Sequence, residues 1–486
     1  MKSSITLCFL ALCFLLPGAS VFAQEVQSPG LRAGAATSNI TPEIGGLIVG
    51  GFSPFPSTHI HDELHARCLV LENEGRKVAI VVCDLLGAAR QLFDEAARLV
   101  EKECGISREA LLMSCTHTHS ASSALSDNRY DTVSTGLTDY QRFVARRIAD
   151  GVRRAVNLLR PAEIGFASAS VPGQVFNRRW FMKEGTVPPN PFGGIDKVKM
   201  NPGYSANLVK PAGPTDPEVS LLAVREKGGG PWISVLANYS LHYVGDVGPG
   251  EVSADYFGVF CTRLGSLLGA ERQDPPFVAL LSNGTSGDVN NNDYSRPASP
   301  RGPKYSKIQA VAEEVAQAAA QALTGLTFTT EAVLDARLKE GRVKQRRPTP
   351  EQVAWAEQTL AQPVALGKGS ASILPRAYAE RFLKLKNAQP EITIPVQALR
   401  IGPAAITGIP CETFAETGLD LKARSPFRPT WTHSIAGGYF GYLPTPEQHR
   451  LGGYETWMGT SRLEEQASVK ITDALLEMLS QMSATP

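Results

Sequence analysis

The sequence predicts an α/β fold: a mixed β-sheet core with flanking helices, built as a single large domain. Three observations carry this expectation. Strand-like and helix-like segments alternate from about Arg32 to the C-terminus, the mark of layered sheet and helix. Several strand-like segments are continuous apolar runs, as in strands covered on both faces. No internal repeat or low-complexity block interrupts the 486 residues, whose 43% hydrophobic and 20% charged content is ordinary for a globular chain.

In chain order, the candidate strands are 66–72, 77–85, 110–115, 163–171, 219–225, 232–241 and 277–282. The candidate helices are 91–104, 140–159, 256–268, 306–323, 350–360, 375–386 and 464–482. The helix at 350 is announced by Thr349-Pro350-Glu351, which supplies a cap residue, a proline at the first helical position and an acid in the first turn. Two stretches break the rhythm. Residues 180–217 are rich in Pro, Gly and Asn with little periodicity, and read as a long loop covering a site; Trp180, Phe181 and Phe192 are its apolar members. Residues 337–347 are strongly basic, and read as a solvated edge strand or loop.

Residues 1–23 read as an export signal. Lys2 precedes a short apolar run at 5–16, and the segment ends Val21-Phe22-Ala23, which suits a signal peptidase. The run is too short to span a bilayer, and no later one is long enough. The mature chain, 24–486, is therefore expected to be one domain without a transmembrane segment, secreted or periplasmic. Removing 1–23 takes away Lys2 and no acid, leaving 47 basic and 47 acidic residues. A neutral chain has no long-range attraction to phosphate polymers, which excludes nucleic acid as a partner. The six cysteines beyond Ala23 form no C-x-x-C pair, so no thiolate metal site or redox motif is visible.

There are only eight histidines, and their placement is informative. Thr116-His117-Thr118-His119-Ser120 follows the apolar segment 110–115. If the strand ran on, residues i and i+2 would share a face, placing two imidazoles side by side where a divalent metal suits them. His242 ends the apolar run 232–241, and Asp84 closes 77–83. Asp288 follows 277–281, and Glu412 lies just past 404–410. Five strand ends thus finish in His, Asp or Glu, at the carboxyl ends where open α/β sheets gather ligands. Other schemes fail on inspection. The sequence holds no G-x-S-x-G, H-E-x-x-H, G-x-G-x-x-G or P-loop.

These residues resemble the neutral/alkaline (non-lysosomal) ceramidase family over almost all of the mature chain. The motifs run in register: Thr37-Ser38-Asn39-Ile40-Thr41-Pro42, His61-Asp62-Glu63-Leu64-His65-Ala66-Arg67, the 116–120 segment and Phe176-Asn177-Arg178. His242 with Ser253-Ala254-Asp255, Gly287-Asp288-Val289, Pro410-Cys411-Glu412-Thr413, Tyr442-Leu443-Pro444-Thr445-Pro446-Glu447 and Gly453-Tyr454-Glu455 complete the series. The resemblance implies a zinc-dependent amidohydrolase, with Zn2+ held by His117, His242, Glu412 and Tyr442. It gives His119 proton transfer or oxyanion stabilisation, and gives Tyr454 and Arg178 the same oxyanion or the orientation of substrate. It places Asp288 and Asn290 at the substrate. Asn290 stands where the family carries a serine important for ceramide cleavage, and an amide cannot act as an alkoxide nucleophile. The chain also ends about 30 residues after Glu455, so the family's C-terminal β-sandwich domain is expected to be absent. Two substrate readings follow. One is an N-acyl lipid such as ceramide. The other is a non-ceramide substrate of the same metal site: a polar amide, an ester or a carbohydrate derivative. Because Glu412 and His117 lie 295 positions apart, a shared site requires one catalytic domain.

Overall fold

The computed structural model describes residues 30–484, apart from 52–53, 126–135, 301 and 364–369. The export signal expected at 1–23 lies outside the described residues.

Eight strands form the larger sheet: β1 (Arg32–Asn39), β2 (His65–Asn73), β3 (Arg76–Cys83), β4 (Leu111–Cys115), β5 (Arg160–Ser170), β6 (Glu218–Glu226), β7 (Trp232–Tyr239) and β8 (Val278–Asn283). Their order is β8-β7-β6-β5-β1-β2-β3-β4. β3 with β4 and β7 with β8 run parallel, and the remaining neighbours antiparallel. The sheet is mixed, as expected. It also rolls over on itself, so that edge strand β8 packs against β1, β2, β3 and β4. The near-continuous apolar character of β2, β3 and β7 follows from that double cover: six consecutive residues of β2 and of β3, and seven of β7, are buried.

A second sheet, β9 (Leu334–Lys344), β10 (Glu391–Ile401), β11 (Ala404–Ile409) and β12 (Thr430–Ser434), was not expected. β11 and β12 are parallel, and β12 packs on β4, β7 and β8. The basic stretch at 337–347 lies largely in β9, the edge strand of this sheet, as its charge implied.

Helices α1 (Arg90–Cys104), α2 (Asp139–Asn157), α3 (Asp255–Leu267), α4 (Ser306–Ala322), α5 (Pro350–Ala361), α6 (Ser370–Lys386) and α9 (Ala467–Ser483) match expected ones to within a few residues. α7 (Ala415–Arg424) and α8 (Pro446–Leu451) are additions. Local rules explain the matches. α1 buries Leu92, Phe93, Ala96, Ala97 and Val100, one face at helical spacing, and ends on Gly105 at φ 65°. Thr349 caps α5 through the Gln352 amide in a reciprocal capping box.

Residues 180–217 are not one structureless loop. They carry most of a three-stranded sheet, Arg179–Met182 between Val198–Met200 and Leu208–Pro211. Strands of three or four residues are too short to show a period, which is why the sequence reads there as loop. Two of the segment's aromatics are placed inward, while Tyr204 is 58% exposed. Phe192 stacks on Phe382 at 5.2 Å, and Trp180 is 9% exposed.

Candidate metal centre

Three parallel strand pairs, β3–β4, β7–β8 and β11–β12, each deliver residues to one place from their carboxyl ends. His117 follows β4, His242 follows β7, Glu412 follows β11 and Tyr442 follows β12. The rolled sheet brings β4 to β8, and β12 wedges against both. This is how positions 117, 242 and 412 meet.

His117 and His119 do not sit in a strand. β4 stops at Cys115, and His117 adopts φ 72°, a left-handed conformation costly for a non-glycine residue. Its backbone N–H is held by Leu85 O at 2.9 Å. The pair therefore meets through a turn, not through strand alternation, with ring planes at 88° and the two Nε2 atoms 3.2 Å apart.

Each buried ring is fixed by a carbonyl. His117 Nδ1 lies 2.6 Å from Leu86 O, and His242 Nδ1 lies 3.0 Å from Ser286 O. A carbonyl only accepts, so each Nδ1 carries a hydrogen, and in the neutral ring each Nε2 then presents a lone pair. Burial, with His117 and Arg178 adding to it, pushes the His242 pKa well below the usual imidazole range and keeps the ring neutral. His242 Nε2 is buried without a hydrogen-bond partner. Glu412 Oε2 lies 3.2 Å from His117 Nε2 and 3.7 Å from His242 Nε2. Its Oε1 accepts from the Tyr439 hydroxyl at 2.5 Å.

With both rings neutral, His117 Nε2, His242 Nε2 and Glu412 Oε2 are acceptor atoms facing one another at buried side chains, an arrangement that a cation among them stabilises. Nitrogen and oxygen ligands about 2.0–2.1 Å from a tetrahedral zinc stand about 3.3 Å apart, close to the separations found. The residues fit a divalent metal. His119 is close enough to join the group: its ligating nitrogen and those of His117 and His242 all lie within 4.8 Å of one another. The outward Nδ1–carbonyl bonds are the outer support that metal-ligating histidines normally have.

Tyr442 is 3% exposed, and its hydroxyl accepts from Arg178 Nη2 at 3.0 Å. Arg178 is held on every side, with Nε on Glu455 Oε1 at 2.8 Å and Nη2 also on Gly287 O at 2.8 Å. Burial disfavours its charge, but Tyr442, Glu455 and Glu412 outweigh that and hold it well above the usual guanidinium range. Tyr454 packs edge-on to Tyr442, with ring centroids 5.9 Å apart.

The other strand-end acids are engaged elsewhere. Asp84 is 0% exposed and accepts from Arg67 Nη1 at 2.5 Å and from His65 N at 2.9 Å. Asp288 is also 0% exposed and accepts from Asn177 Nδ2 at 2.7 Å and Ala415 N at 2.9 Å, with burial raising its pKa to about 6. Asn290 donates to Asn201 Oδ1 at 3.0 Å and to the Tyr294 hydroxyl at 3.2 Å.

Sequence reasoning missed four residues. Glu455 bridges Arg178 and Arg179 through its two oxygens, each at 2.8 Å. Tyr243 stacks on His119 at 3.7 Å. Tyr439 holds Glu412. Glu455, Tyr243 and Arg179 adjoin quoted site residues, which was the available signal; nothing in the sequence marks Tyr439.

Two expectations follow. Tyr439→Phe removes the hydroxyl that orients Glu412 and should weaken metal affinity roughly ten- to a hundredfold, as for other outer-shell losses; a chelator competition titration measures this. Gly287 has no room for a side chain, since a Cβ there would stand 2.5 Å from Glu412 O and 2.9 Å from its carbonyl carbon. Gly287→Ala should displace the Glu412 backbone and lower bound metal, whereas Gly75→Ala, at an open turn, should leave it unchanged.

Fold and centre together define an α/β protein with a histidine–carboxylate cluster at the carboxyl ends of parallel strands. No family model and no curated protein matches the chain. Solved structures do. Neutral ceramidase from Pseudomonas aeruginosa superposes with a TM-score of 0.67 at 17% identity, covering 93% of this chain and 74% of that one. A ceramidase complexed with C2 superposes with a TM-score of 0.66 at 17% identity, covering 94% and 75%. The chain has the neutral ceramidase fold.

Proposed function

We propose that this chain is an exported, zinc-dependent hydrolase of the ceramidase type that cleaves an N-acyl bond with water. The observation that carries this reading is the convergence of His117 Nε2, His242 Nε2 and Glu412 Oε2, with both Nδ1 hydrogens turned outward to carbonyls. His117, His242, Glu412 and Tyr442 would hold the zinc. When bound, zinc supplies Lewis acidity that brings the pKa of water toward about 7 and polarises a carbonyl.

The chain's own groups do the rest. His119, partly exposed and beside His117, takes a proton from the attacking water and returns it to the departing nitrogen. The C–N bond breaks, a C–O bond forms, and amine and carboxylate leave. Arg178 fixes the Tyr442 hydroxyl, and Tyr454 flanks it as a donor toward the oxyanion. Helices long and apolar enough to cross a membrane are absent among the described residues.

A second reading keeps the site and changes the substrate to a polar amide, an ester or a carbohydrate derivative. The engaged amide of Asn290, in place of a serine hydroxyl, favours it. Metal analysis after chelator-free purification should find about one zinc per chain, and chelation should abolish hydrolysis of N-acyl and ester probes. Protein that hydrolyses them equally well without metal would overturn the proposal.

A further inference from the structure

Resting on the hydrolase reading, we propose that the polar rim of the site takes a polyhydroxylated amide, such as an N-acylated amino sugar, and discriminates against a long alkyl chain. The basis is a string of residues, joined by contacts and by one short stretch of chain, leading from His119 round to Tyr442. Tyr243 lies flat on His119, with ring centroids 3.7 Å apart and planes within 15°, and is half-buried. Three residues on, Asp246 Oδ2 accepts from Lys307 N at 3.5 Å. Lys307 Nζ donates to Asn292 Oδ1 at 2.9 Å. Asn292 N donates to Asn290 Oδ1 at 3.1 Å, and Asn290 joins Asn201 and Tyr294. Asn201 N closes the string on Arg178 O at 2.8 Å, and Arg178 holds Tyr442.

This arc is a rim of carboxylate, ammonium, amide and phenol groups, most of them half-buried or exposed. The exposed large apolar side chains among the described residues, such as Ile195, Val209 and Val333, all lie outside it. A sugar-like amide suits such a rim twice. Its hydroxyls can replace water on Asp246, Lys307 and Asn292, and its C–H face can lie on an aromatic ring such as Tyr243. An alkyl tail would strip water from the same groups and return no hydrogen bond, and polar sites reject such analogues strongly.

The experiment compares zinc-loaded full-length protein on N-hexanoylglucosamine, N-hexanoylsphingosine and 4-nitrophenyl acetate. The expected result is kcat/KM at least tenfold higher for the amino sugar amide than for the sphingosine amide. Tyr243→Ala and Asn292→Ala should each erase most of that ratio, with zinc content and melting temperature retained. A sphingosine preference, or variants that leave the ratio intact, overturns the inference while zinc-dependent cleavage of the ester still upholds the hydrolase reading. If no probe is hydrolysed, the hydrolase reading fails. Saturation-transfer NMR with N-acetylglucosamine then decides the subsite, and absence of Tyr243-dependent binding overturns it as well.

Discussion

Glu412→Ala protein is expected to purify without zinc and to lose turnover by more than the ten- to hundredfold that removal of an outer-shell partner costs. Glu412 is 2% exposed and brings a carboxylate oxygen to 3.2 Å from His117 Nε2 and 3.7 Å from His242 Nε2. Without it, the centre keeps its imidazole nitrogens but loses the adjacent negative charge, and a buried divalent cation depends on that charge. Glu412→Gln is the sharper test, because it keeps the volume and an acceptor oxygen while removing the charge. It should bind zinc far more weakly than the parent protein, with unfolding behaviour little changed. Elemental analysis beside turnover separates the cases. A Glu412→Gln protein with full zinc occupancy would show that the carboxylate is not a ligand.

Glu455→Ala is expected to be the most destabilising single change at the site. Glu455 is 0% exposed and sits between Arg178 and Arg179, each held at 2.8 Å. Arg179 is itself 0% exposed and is otherwise tied to Gln448 and to Gly452 O. Removing the carboxylate leaves two buried guanidinium groups without it, and breaking a buried pair in this way costs about 3–5 kcal/mol. That is a large share of a total stability of roughly 5–15 kcal/mol. Chemical denaturation of the metal-free protein measures it directly, free of any contribution from bound zinc. Glu455→Gln, which keeps the volume and one acceptor oxygen but turns a donor NH2 toward the second arginine, should fall between parent and Ala. A shift below about 1 kcal/mol for Glu455→Ala would mean that Arg178 and Arg179 find their counter-charge elsewhere.

These two residues show what local reasoning reaches. Glu412 was legible because it ends an apolar run, and polar residues at the ends of buried strands are unusual enough to notice. By the same rule Asp84 and Asp288 looked equally promising. In the structure Arg67 holds one carboxylate, and Asn177 with the Ala415 amide holds the other. Glu455 carried no such mark, because its importance lies in two arginines more than 270 positions away.

The helices were legible wherever amphipathic spacing and caps act within a few residues, as at α1 and α5. The long buried strands of the larger sheet were legible from their unbroken apolar character. The second sheet was not: β9 is largely polar, and β12 has five residues, too few for a period to emerge. The sequence by itself therefore determined the fold class, most elements and the residue types that can ligate a metal, because those depend on side-chain chemistry and short-range periodicity. Only the tertiary structure decided which of the strand-end residues meet. That outcome turns on a sheet rolled until β8 packs on β2–β4, on β12 wedged against both, and on a left-handed turn at His117. These are long-range packing solutions, and no local pattern encodes them.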